Sequence, residues 1–84
     1  MVVIEGSILN VMETWPLQLT VAVGGQRLQV SLTEQTEITA AGRPAGAGEL
    51  RPGLAVAVQG HRADGRDGIV ASRIVVRGSG AWRT

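Results

Sequence analysis

Apolar and polar residues alternate with a period of two along most of this 84-residue chain, the spacing of strands with one face turned to a core. The clearest run is Leu17, Leu19, Val21 and Val23, interleaved with Gln18, Thr20 and Ala22. After Gly24-Gly25 the alternation resumes as Leu28, Val30 and Leu32 against Arg27, Gln29 and Ser31. Two such runs around a glycine pair predict a β-hairpin with a primed two-residue turn, because both glycines accept positive φ without strain. Upstream, Val2, Ile4, Gly6 and Ile8 form a first strand that extends towards Val11. Gly6 takes the place of a side chain on the face of Ile4 and Ile8, where a strand can coil or another backbone can approach.

The second half repeats the pattern with more interruptions. Thr36 and Ile38 form a short extended piece. Residues 40–52 read as a loop broken by Gly42, Pro44, Gly46, Gly48 and Pro52, with one helical turn over 48–51. Leu50 is the one large apolar residue of that turn and is expected to plug an end of the core. A fourth strand covers 55–58, with Val56 and Val58 on one face, Ala55 and Ala57 on the other, and Gly60 as its stop. His61 to Gly68 reads as a polar turn. In the fifth strand, 69–77, the inward candidates Ile69 and Ala71 are out of phase with Ile74 and Val76. A β-bulge near Ser72-Arg73 would restore the phase.

These elements predict an all-β domain: a small five-stranded OB-like β-barrel with at most one short helical turn. Residues 1–77 form the single barrel domain and 78–84 a C-terminal tail. Closure would leave no bare sheet edge in a chain that is 44% hydrophobic. The order and spacing of several residues resemble a bacterial domain family of unknown function with such a barrel. They are Ile4-x-Gly6-x-Ile8, Thr36-x-Ile38, Leu50-x-x-Gly53-x-x-Val56-x-Val58-x-Gly60 and Ala71-x-x-Ile74-x-Val76. The resemblance spans about residues 2–77. It implies scaffold roles for Gly6, Leu50, Gly53 and Gly60, and no reaction. Members often belong to exported or envelope proteins. The chain as written reads as cytoplasmic, and as periplasmic or secreted if it is a mature or excised domain. Haem carriers among similar small domains use a histidine near the C-terminus, and no histidine follows Val76.

Composition narrows the functional classes. With no Cys, no Phe, no Tyr and two Trp, the core must be built from Val, Leu, Ile and Ala. Disulfides and thiolate metal sites are excluded. No apolar run is long enough for a membrane-spanning helix. The net charge is +1 with every cation an arginine, and the charge is skewed: residues 1–42 carry −3 and 43–84 carry +4. Arg51, Arg62, Arg66, Arg73 and Arg77 would suit a phosphate-bearing ligand if they shared a face. Single-strand binding also needs aromatic platforms, so nucleic acid is the less favoured alternative.

Trp15 reads either as a cap on one end of the core or as a partner anchor. Trp82 reads as part of a free tail or as docked on another chain. His61, Asp64 and Asp67 share one turn and are donor types that could hold a divalent metal, but Asp-Gly pairs are ordinary turn formers. No nucleophile–base pair is recognisable. The expectation is therefore a non-enzymatic module without a cofactor, serving a protein partner, its own oligomer or a small ligand. A polyanion-binding domain and an envelope assembly domain are the alternatives.

Overall fold

The computed structural model describes residues 1–13, 17–62 and 68–79. These form a small all-β domain with seven strands: β1 (Val2–Met12), β2 (Gln18–Val23), β3 (Gln26–Ser31), β4 (Glu37–Ala40), β5 (Arg43–Pro44), β6 (Leu54–Arg62) and β7 (Gly68–Ser79). A 3-10 turn, Ala47–Glu49, precedes β6. The strand order is β3-β2-β1-β6-β7-β4-β5, and β3 also pairs with β7. Five strands are thus joined in a ring: β1, β2, β3, β7 and β6. Every neighbouring pair in the ring is antiparallel except the β3–β7 closure, which is parallel and three residues long.

The glycine hairpin forms as its sequence dictates. Val23 pairs with Gln26 across Gly24 and Gly25, both at positive φ. Two positive φ values give a turn whose twist matches that of the flanking strands.

β1 is long because it serves two partners. Residues 2–7 pair with β6 and residues 7–12 with β2, with Ser7 shared by both. Gly6 sits at this handover. A Cβ there would run into the carbonyl oxygen of Ala22, so the coil of β1 depends on the missing side chain. The pairing with β2 also slips by one residue at Leu9.

The expected bulge in β7 is present. Gln59 pairs with Arg73 and Gly60 with Ala71, leaving Ser72 as the extra residue. Its hydroxyl donates to the carbonyl of Gln59 at 3.1 Å. The bulge restores the phase: Ile69, Ala71 and Ile74 are all buried, and Val76 packs against the same cluster.

The interior needs no aromatic ring among the described residues. Ile8, Leu19, Val21, Val30, Val56, Val58 and Ile74 are fully buried, and branched aliphatic side chains suffice to fill so narrow a space. Leu50 joins this cluster and is itself buried. It reaches the core from the end where the 3-10 turn leads into β6, so that end is plugged. No polar or charged residue is buried among the described residues.

Three boundaries differ from the periodicity. Gly60 does not stop its strand, because β6 runs on to Arg62; the glycine is where β7 folds close across the bulge. His61 and Arg62 therefore belong to a strand and not to a turn. The stretch that reads as loop after Ile38 contains a second small hairpin, β4–β5, turning at Ala41 and Gly42. Ala41 adopts φ 54°, an expensive conformation for a residue with a Cβ, so its sequence does not signal the turn. The last strand also runs to Ser79, two residues beyond the expected end.

Thr36 closes a gap in the sheet. One edge of β7 pairs with β3 through Gly68–Val70 and then with β4 through Arg73–Val76. Between them the Ala71 carbonyl is met by the Thr36 hydroxyl, which donates at 2.7 Å and accepts from the Thr33 N–H at 2.8 Å. Thr36→Val keeps the shape, takes the partner from the part-buried Ala71 carbonyl and returns the exposed Thr33 N–H to water. We expect it to cost about 2 kcal/mol in denaturant unfolding, with Thr36→Ser retaining most of the stability.

Candidate functional site

Strand direction determines which residues meet at the end of the ring opposite Leu50, an end that no side chain of the described residues fills. The start of β1, the start of β3, the end of β6 and the start of β7 all lie there. They enclose a cavity of about 350 Å³ lined by Val2, Ile4, Gln26, Leu28, Arg62, Gly68 and Ile69. That volume falls within the usual range for small-molecule pockets. Val2, Ile4 and Leu28 are half-buried and pack against the core cluster, to which Ile69 belongs. The cavity is thus a continuation of the core, with one wall aliphatic (Val2, Ile4, Leu28 and Ile69) and the rest polar or backbone (Gln26, Arg62 and Gly68).

The two long polar residues of the lining stand in core-facing register. Arg62 pairs directly with Ile69, and directly opposed residues of an antiparallel pair share a face. In β6 it continues the inward row Val56, Val58 and Gly60. Gln26 continues the inward row of Leu28 and Val30 in β3. Both side chains are exposed, as they must be at a mouth: the stems extend the apolar wall and the polar heads stay in water.

The arginines do not form one row. Arg51 follows the 3-10 turn at the plugged end and Arg62 stands at the open end. The eight residue steps of β6 that separate these ends span roughly 26 Å. Arg73 donates to Glu37 at 2.9 Å across the β4–β7 pairing. Arg77 lies 3.7 Å from Glu5. This second pair links β7 to β1 across β6, whose outward residues there are Ala55 and Ala57, small enough to be bridged. Ala57 is buried although it points away from the core cluster. Both ion pairs are exposed and contribute little stability, but they neutralise two of the candidate phosphate-binding groups. Arg66 lies outside the described residues.

The outer face of the β2–β3 hairpin carries a chain of side-chain hydrogen bonds. Gln29 donates to Gln18 at 2.9 Å and accepts from Thr20 at 3.4 Å. Among the described residues it is a polar surface with no aromatic platform. The exposed large apolar residues among those described are Met1, Val3, Leu9 and Met12, all in or beside β1 and interrupted by Glu5, Ser7 and Asn10. A second concavity, about 420 Å³, is lined by Thr36, Glu37, Ile38, Thr39, Pro44 and Ala45. These residues all come from the β4–β5 hairpin and its approach, so side chains from separate parts of the fold do not converge there.

His61 is exposed on β6, next to Arg62. Asp64 and Asp67, its expected companions, lie outside the described residues, as do Trp15 and Trp82. Among the described residues no three acidic or histidine side chains gather as metal ligands, and no helix is long and apolar enough to cross a membrane. Of the scaffold positions, Gly53 takes positive φ and its N–H donates to the Ile8 carbonyl at 2.8 Å.

Of the cavity's lining, sequence singles out Arg62 alone, and for a different surface. Val2, Ile4, Leu28 and Ile69 read simply as strand interior. What they share is position at one end of four strands, a property of topology that periodicity does not carry. No family model, curated protein or solved structure matches the chain.

Proposed function

We propose that this chain is a non-enzymatic, OB-like β-barrel module that binds a small apolar ligand in the open end of its strand ring. The observation that carries the reading is the cavity walled by Val2, Ile4, Leu28 and Ile69. Such a wall supplies transfer free energy to an apolar ligand of about 25 cal/mol per Å² buried. The described lining offers neither a nucleophile nor a general base, which favours binding over catalysis. The barrel reading is supported by the five-stranded ring with its parallel closure, an arrangement suited to a Greek-key OB barrel. Pairing of Arg73 and Arg77 with acids weighs against the polyanion alternative.

Methyl NMR during titration with 1-octanol tests the reading. Saturable shifts are expected at Val2, Ile4, Leu28 and Ile69, and not at the outward Val3. Val2→Phe fills the cavity from a half-buried position and should abolish the shifts while leaving a folded spectrum. Octanol shifts spread evenly over the surface, or unchanged saturation in Val2→Phe, would overturn the proposal. Val3, Leu9 and Met12 are the surface that a protein partner or second copy would use. That alternative predicts sedimentation that depends on concentration.

A further inference from the structure

Resting on the small-ligand reading, we infer that the cavity selects amphipathic anions: a carboxylate or comparable head group at the mouth and an apolar tail inside. Register singles out two residues. Core-facing strand positions among the described residues are otherwise aliphatic or glycine, and no charged residue is buried among them. Arg62 and Gln26 break that rule at the same place. Arg62 extends the inward row of β6 and Gln26 the inward row of β3, and both line one cavity.

The chemistry of the two groups is complementary. A guanidinium offers only donors, in a planar fork that fits a carboxylate. A glutamine amide adds two more N–H donors. Donors that line the same aliphatic well fit an acceptor-only head group carried on a tail. An ammonium head would face the Arg62 charge. A neutral ligand would satisfy the wall and leave the guanidinium unused. Arg62 is the one charged residue of the described lining.

Size limits the tail. The 350 Å³ of the cavity corresponds to about a dozen water-sized groups, which admits a head group and a chain of about eight to ten carbons. Depth should therefore show as a chain-length limit. Each methylene that enters is expected to tighten binding about fourfold, and the gain should stop once the cavity is full.

The test compares octanoate, octanol and octylammonium at low salt by methyl NMR and calorimetry, with hexanoate and decanoate added for length. The expected order is octanoate tightest and octylammonium weakest. Arg62→Gln changes an exposed side chain and should leave the fold intact. It should weaken octanoate about three- to fivefold, in keeping with an exposed ion pair, and leave octanol unchanged. If octanol saturates the cavity methyls but octanoate binds no better, anion selection is wrong and the apolar site stands. Anion selection also fails if Arg62→Gln weakens both ligands to the same extent. If neither ligand moves those methyls, the small-ligand reading falls as well.

Discussion

Gly6→Ala is expected to leave the protein largely unfolded at 25 °C. The added Cβ would lie deep inside contact distance of the Ala22 carbonyl oxygen, and 3.0 Å from the Val23 side chain. The Ala22 carbonyl is backbone, held by the β1–β2 pairing of Ser7 with Ala22, so it cannot swing aside like a flexible side chain. Relief requires β2 to lift from β1 where β1 passes from one partner to the other. That would strain the Ser7 and Ile8 pairings and open the core beside Val21. A chain of this length has roughly 4–12 kcal/mol of stability in all, and a steric insult of this kind belongs to the class that costs more than about 4 kcal/mol. Far-UV circular dichroism and urea unfolding measure the effect. A cooperative transition within about 1 kcal/mol of the parent would show that β1 coils without needing a glycine at this point.

Gly60→Ala should be the second most damaging small substitution. Its Cβ would strike the carbonyl oxygen of Val70, with the Ala71 Cα at 3.0 Å, because the Ser72 bulge draws β7 in against β6. The bulge gives β7 some freedom to shift, so we expect a loss of about 3 kcal/mol in place of complete unfolding. Two controls isolate the cause. Gly46→Ala meets nothing within 4 Å and should be neutral. Ser72→Ala removes only the exposed hydrogen bond to Gln59 and should cost under about 1 kcal/mol. If Ser72→Ala proved as damaging as Gly60→Ala, the hydroxyl and not the close backbone approach would be holding the bulge.

The two glycines show how far the fold is legible in the sequence. Gly6 stands out because it interrupts an inward row, and the structure supplies the matching reason: another backbone occupies the space. Gly60 reads as a strand end, since a glycine after Val56 and Val58 punctuates in the same way whether the strand stops or a neighbour crosses it. The bulge at Ser72 is legible because a three-residue gap between Ala71 and Ile74 has no other economical repair. The Ala41-Gly42 turn is not, because alanine at positive φ is stabilised by its surroundings and not by its own preference.

The candidate site is less legible than the scaffold. Sequence groups Arg62 with Arg51, Arg73 and Arg77 by charge, but charge in sequence carries no face. Pairing places Arg73 against Glu37 and Arg77 against Glu5, partners far removed along the chain. Of these four arginines, Arg62 is the one that lines the open-end cavity.

Period-two alternation, the Gly24-Gly25 turn and the aliphatic composition were sufficient to determine an all-β domain with five main strands and, among the described residues, a core built from aliphatic side chains. They act locally, through turn geometry and through burial of one face of each strand. The tertiary structure alone decided which strand ends share an opening and which arginines meet acids, and it placed the expected Leu50 plug at the end where the 3-10 turn leads into β6. Those outcomes depend on strand order and direction, which bring residues 2, 28, 62 and 69 together although no local interaction links them.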